Sequence, residues 1–373
     1  MADRGVLDAL IDQLFAVIEN RNNRTGTRSR KPGTASFFVT LEEPIAWTIL
    51  EGLDVNRYFQ DTYYWAEQSL KHKLWRSRHV DDCTAVTTDL PLWLGHYPEY
   101  TFFNLDVIYN ARGVPAIRED HPLRSRPDIS LLQPVDFESS GIMPKALHLY
   151  EELQNLVGGK LKVDLLTWWR GCLDLAVQLR GYDNLVADTV ERPSFVKELL
   201  GFITDQRNRW HQSRWSFLGR QREPAEIGDD WVNIPFISPQ MFEEFVLPCY
   251  LEIERWHGGV RYVHSCGNQT GLQKHLLKIE SLEFLEVSAW SDLDQSLRNI
   301  PPHTRLLIQL HPNDVLYASP EQIERQLRFI AERCEGRSYD VSTSGLTPVT
   351  NSTRDFIEAI RRFTDVAHGI WCG

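Results

Sequence analysis

The chain has 373 residues, 42% of them hydrophobic, and a formal net charge of −11. That is enough apolar material for one large core, and a barrel of about 250 residues or more folds as a single domain. The negative balance argues against a nucleic-acid partner, which calls for a basic face. No apolar run reaches membrane-spanning length.

Met1 to Asn20 reads as an amphipathic helix carrying Asp3, Asp8, Asp12 and Glu19. A secretory signal would show a basic start and an uninterrupted apolar stretch, so the expected compartment is the cytoplasm. A polar loop is expected at Arg21 to Pro32. Its basic residues Arg24, Arg28, Arg30 and Lys31 read as a solvated segment rather than a binding patch. Helical patterns then cover Glu42 to Leu53 and Asn56 to Arg76, so residues 1–80 are expected to form a helical N-terminal extension.

From 81 to 373 short apolar runs alternate with helical patterns, the mark of βα units. Strands are expected within Thr84 to Leu94, Lys160 to Thr167, Val260 to His264, Glu283 to Ser288, Arg305 to Leu310 and Ser338 to Thr343. Ser238-Pro239 and Ser319-Pro320 each supply an N-cap hydroxyl and a proline at the first helical position, and Gln322 is placed for a capping box. This spacing suits a parallel barrel or a doubly wound sheet. The six cysteines (83, 172, 249, 266, 334, 372) lack a disulfide-framework spacing. Twelve Trp and twelve Tyr suit an aromatic-lined pocket, though a large core explains them equally simply.

In a βα architecture functional side chains gather where strands end. Those ends read His264-Ser265-Cys266-Gly267-Asn268, Glu286-Val287-Ser288, His311-Pro312-Asn313-Asp314 and Ser342-Thr343-Ser344-Gly345. His264 and Cys266 are two apart and so project to the same side of an extended segment. Imidazole and thiolate are both good zinc ligands. An isolated His-x-Cys more often ends in a core, but a strand end followed by Gly-Asn raises the functional reading to even.

Tyr262 to Thr270 (YVHSCGNQT) resembles the His-x-Cys-Gly-Asn element of the zinc-dependent, corrinoid-linked methyltransferases related to uroporphyrinogen decarboxylase. Gly228 to Tyr250 (GDDWVNIPFISPQMFEEFVLPCY) is similar to that superfamily's acid-bearing strand and following helix. Trp169 to Ala176 matches a pocket-lining turn, His311 to Leu327 resembles a Gly-Asn-x-Asp element with a capped helix, and Ser344 to Ile360 matches a closing strand-loop-helix. The resemblance covers roughly residues 85 to 366 and implies a (β/α)8 TIM barrel. The single motifs are moderately specific; their order is more so.

The resemblance implies a methyltransferase moving a methyl group between a small-molecule substrate and a corrinoid on a partner protein, with zinc at the barrel mouth. A homodimer is common among such proteins. His264 and Cys266 would be zinc ligands. The third ligand is expected to be a cysteine after the last strand, where this chain has Ser344; His311 and Glu286 are the neighbouring substitutes. Asp229 or Asp230 would orient the substrate or take a proton, with a solvated turn as the plain alternative. Asn268 and Asn313 would offer hydrogen bonds at the mouth. Arg170, beside Trp169, would pair with an anion or form a rim salt bridge. Asp89 is either an acid at a strand end or a surface turn. The decarboxylases' arginine-rich N-terminal motif is missing, which weighs against a metal-free decarboxylase of tetrapyrroles. The serine at 344 is the main support for a third reading, a non-catalytic barrel that binds a corrinoid protein.

Overall fold

The computed structural model describes residues 4–25, 35–108, 115–118, 120–348 and 352–372. Eight strands lie parallel to their neighbours. In chain order they are β1 (Ser36–Phe38), β2 (Asp89–Pro91), β3 (Lys162–Asp164), β4 (Ala225–Gly228), β5 (Val260–His264), β6 (Leu285–Val287), β7 (Leu306–Leu310) and β8 (Tyr339–Thr343). A two-stranded antiparallel pair, Val107–Ile108 with Ala116–Ile117, stands apart from them.

The parallel strands pair in three groups, in the orders β1-β8-β7-β6, β2-β3 and β4-β5. Single contacts join the groups. Cys83 N donates to Phe37 O at 3.0 Å beside β1, and Glu283 N donates to Arg261 O at 3.0 Å between β5 and the run into β6. A parallel bridge couples Arg170 to Gly228, and another couples Leu41 to Leu346. The molecule is thus a mixed α/β protein with helices between parallel strands.

All five residues of β8 are buried, Tyr339 and Val341 with the polar Asp340, Ser342 and Thr343. The last helix, Thr353–Trp371, buries Phe356, Ala359, Ile360, Phe363, Thr364, Ala367 and Trp371, the spacing of one helical face. The helix Pro320–Arg333 starts with the capping box expected at Ser319 and Gln322. Ser238 accepts from Met241 N at 3.1 Å as an N-cap. The helix beyond it passes through a π turn at Phe242–Val246 and continues as Leu247–His257. Pro248 lacks the N–H that an α-helical ladder would use there.

The seam between the run after β3 and β4 is unusual. The long helix Pro193–Leu218 sends side chains onto backbone carbonyls there. Arg214 donates to Leu165 O and Leu166 O at 2.8 and 2.9 Å, Arg207 to Trp168 O and Glu226 O at 3.3 and 2.9 Å, and His211 Nε2 lies 3.0 Å from Trp168 O. A cavity of about 730 Å³ lies beside this seam, lined among others by Asp164, Trp169, Arg170, Arg214 and Glu226.

The first helix is Arg4–Thr25 and extends into the segment read as a loop, because polar residues do not stop a helix and no glycine follows Gly5 until Gly26. Arg28, Arg30 and Lys31 lie outside the described residues. Strand β1 lies inside the stretch read as helical; three residues are too few to show a period of two. No helix among the described residues is long and apolar enough to cross a membrane.

Candidate metal centre

Three ligand-type side chains meet where β4 and β5 end. His264 closes β5, Cys266 follows two residues later, and Asp230 follows two residues after Gly228. Cys266 Sγ lies 3.4 Å from His264 Nε2 and donates to Asp230 Oδ1 at 3.2 Å. One ligand atom from each lies within 4.8 Å of the others. Tetrahedral zinc with bonds of about 2.0–2.3 Å sets its ligands roughly 3.3–3.8 Å apart, so this donor set fits that ion.

Each ligand is held from behind. The His264 side chain is 19% exposed and faces Glu286, which is wholly buried in β6. His264 Nδ1 lies 3.0 Å from Glu286 Oε2; the same oxygen accepts from the Tyr262 hydroxyl and from Gln309 Nε2 at 3.0 Å. Among the described residues Glu286 Oε1 has no hydrogen-bond partner. Burial favours the neutral imidazole, but the Glu286 charge and the hydrogen bonds to Cys266 and Glu286 outweigh it, holding His264 well above its usual range. Burial also raises the Cys266 thiol; His264 pulls it back and Asp230 pushes it up.

Asp230 is gripped by Arg170, whose Nη1 donates to it at 2.5 Å and to Asp174 at 2.8 Å. Burial pushes Asp230 up, yet the guanidinium more than offsets this and holds its carboxyl below the usual range. Asp174 has the opposite fate. Burial carries it to about 6 despite Arg170, with Asp230's charge adding to the rise. The turn bearing Trp169 and Arg170 hangs on buried Glu99, whose Oε1 accepts both backbone N–H groups at 2.7 and 3.2 Å. The Trp169 ring stacks on His264, with centroids 5.6 Å apart at 27°. A Cβ on Gly228 would collide with that indole, which explains the glycine at the end of β4.

Asp229, adjacent in sequence, faces elsewhere. It is fully buried and accepts from Leu173 N at 3.1 Å and Tyr250 Oη at 3.0 Å, while Oδ1 has no hydrogen-bond partner among the described residues. Burial and then the Asp174 charge hold its carboxyl well above the ordinary value. It ties the helix Cys172–Arg180 to Leu247–His257.

The other expected residues make contacts of their own. Asn268 Oδ1 accepts from Thr270 N at 2.9 Å, inside its own turn. His311 Nδ1 accepts from Asn313 N at 3.2 Å, capping the helix Pro312–Leu316, and its ring packs 5.7 Å from Trp290. Ser344 Oγ reaches Gln309 Oε1 at 3.4 Å and so touches the centre through Gln309 and Glu286. Asp89 begins β2, at the opposite end of the strands, and pairs with Lys162 at 3.2 Å.

Sequence reasoning passed over Tyr262, Gln309, Glu99 and Glu42. Tyr262 carried a signal, since it sits two before His264 in one strand. Glu42 packs against Gly345, where a Cβ would collide with Oε2. Burial and the charge of Asp230 raise its carboxyl, and His264 draws it back.

The arrangement can bind a divalent cation through sulfur, nitrogen and oxygen, and it belongs to a parallel α/β protein with its polar side chains at the carboxyl ends of the strands. The chain belongs to the uroporphyrinogen decarboxylase (URO-D) family, whose model matches residues 99–368. Among solved structures, a methyltransferase from Methanosarcina mazei superposes with a TM-score of 0.66 at 13% identity, covering 91% of this chain and 95% of that one. That likeness establishes a shared fold. A putative vitamin-B12-independent methionine synthase from Listeria monocytogenes aligns at 10% identity and a TM-score of 0.46, covering 92% and 99% of the two chains. No curated protein matches the chain.

Proposed function

We propose that the protein is a methyltransferase that moves a methyl group between a small-molecule substrate and a corrinoid carried on a partner protein, on a single-domain, closed (β/α)8 barrel. The chain of contacts from β1 through β8 supports closure. The observation that carries the functional reading is the His264–Cys266–Asp230 group braced by Glu286 and Arg170. Zinc is the ion we assign to it; when bound it lowers the proton affinity of a coordinated thiol or water.

The protein's own residues do the rest. Glu286 fixes the tautomer of His264 so that Nε2 faces the ligand group, an outer-shell role common to metal-binding histidines. Arg170 keeps Asp230 ionised, and Asp230 takes the third-ligand role for which the sequence reading offered His311 or Glu286 in place of the cysteine expected at Ser344. Trp169 covers one face of His264 and limits water. A decarboxylase of polycarboxylate tetrapyrroles is disfavoured because Arg170, the buried arginine at this site, is already taken up by Asp174 and Asp230.

Elemental analysis of wild type and Cys266→Ala, beside methyl transfer from free methylcobalamin to small thiols and amines, tests the reading. One zinc per chain, lost with the thiol together with transfer, is the expected result. Full metal content and transfer in the variant would overturn it.

A further inference from the structure

Glu42 belongs to the site by position, yet none of the site's hydrogen bonds uses its carboxylate. Its backbone N donates to Leu346 O at 3.0 Å, and Leu41 bridges Leu346, so it rides on the seam where the first and last strands meet. The side chain lies over Gly345, whose Cβ, if it had one, would collide with Oε2 and stand 3.2 Å from Cδ. Gly345 therefore makes the room in which the carboxylate sits. Among the described residues no hydrogen bond or salt bridge holds that carboxylate.

The surroundings define what it faces. Glu42 lies within electrostatic reach of Asp230 and His264. Tyr97 lies within reach of both Glu42 and Asp230, and His96 within reach of Asp230 and His264. The charges do not balance. Arg170 is shared between Asp174 and Asp230, and Glu286 is matched by His264 only while that ring keeps its proton. Glu42 has no cation of its own. A zinc ion would neutralise the Cys266 thiolate and Asp230 and still leave Glu42 uncompensated, with Tyr97 within its electrostatic reach and the Trp169 ring stacked on neighbouring His264.

We propose that Glu42 is a specificity-determining residue that selects a positively charged small molecule, an amine or methylated ammonium, as the ligand of this site. Carboxylate and aromatic faces together suit a diffuse organic cation, which attracts both. The fate of that ligand rests on the methyl-transfer reading; its binding does not.

The test is calorimetric titration of tetramethylammonium chloride, with tert-butanol as the uncharged control of similar size, into wild type, Glu42→Gln and Gly345→Ala. The glycine variant leaves Glu42 in the sequence and moves its carboxylate aside, because the Cβ meets the far end of a flexible side chain. Both variants are expected to bind tetramethylammonium about tenfold more weakly, about 1.4 kcal/mol, with zinc content unchanged and tert-butanol unaffected. If wild type ignores tetramethylammonium, or both variants bind it as wild type does, the proposal falls. It also falls if Glu42→Gln loses zinc, since Glu42 would then be a metal ligand. Glu42-dependent binding without zinc or methyl transfer would keep this inference and sink the proposed function; methyl transfer without ammonium binding would do the reverse.

Discussion

Glu286 stands 3.0 Å behind His264 Nδ1, on the far side of the ring from Cys266. A buried carboxylate in this position sets which imidazole nitrogen is free. Glu286→Gln keeps the shape but removes the charge. Zinc affinity is expected to fall about 10–100-fold, as with other outer-shell partners, while zinc-loaded protein keeps its stoichiometry. Competition with a chelator of known affinity measures it. Unchanged affinity would leave Glu286 with a packing role only.

Metal binding is expected to strengthen as pH rises. His264 and Cys266 are both held above their usual values, so each keeps its proton to higher pH and must lose it to become a ligand. Below the raised values protons compete with the ion; above them they do not. A chelator titration repeated at several pH values reads the slope, and a flat profile would exclude both groups as ligands.

Acid stability has a separate origin. His72 stacks on Trp47 with centroids 4.0 Å apart, and burial lowers it from 6.5 to about 3. The unfolded chain therefore binds a proton between those values that the folded chain refuses. The stability this residue contributes is present above about pH 6.5 and lost as pH falls toward 3. Among the described residues His72 Nε2 has no hydrogen-bond partner, so His72→Phe keeps the stacking and removes the titration. The variant is expected to gain about 2 kcal/mol on wild type on going from pH 8 to pH 5. Parallel melting curves at both pH values would contradict this.

Tyr250→Phe should cost about 1–3 kcal/mol, because it leaves Asp229 Oδ2 with one donor while Oδ1 already lacks any. Denaturant unfolding measures the loss. A neutral result would mean that Asp229 is protonated and indifferent to the hydroxyl.

What the sequence made legible was periodic or local. Strand β5 lies over the residues read for it, because Val260 and Val263 are bounded by polar turns. Ser319 and Gln322 announce their own capping box. His264 and Cys266 announce each other at a separation of two. The link to Asp230 was hidden, since Cys266 meets it across 36 positions of chain and only the parallel pairing of β4 with β5 brings them together. Glu99 gives no local cue at all; it works on a turn 70 residues later. His311 reads in the sequence as a substitute third ligand; its Nδ1 accepts from Asn313 N and caps the helix that Pro312 begins, a local role the sequence reading did not weigh.

The seam between β3 and β4 has a consequence for inheritance as well as for shape. A ladder hydrogen bond is made by groups that every residue carries, so most substitutions leave it intact. Here the carbonyls of Leu165, Leu166 and Trp168 are met by Arg207, His211 and Arg214 instead. The backbone just before Trp169 and Arg170 is thereby written into three side chains of a distant helix. A single codon change at any of these three buried positions can slacken the wall that aims Arg170 at Asp230.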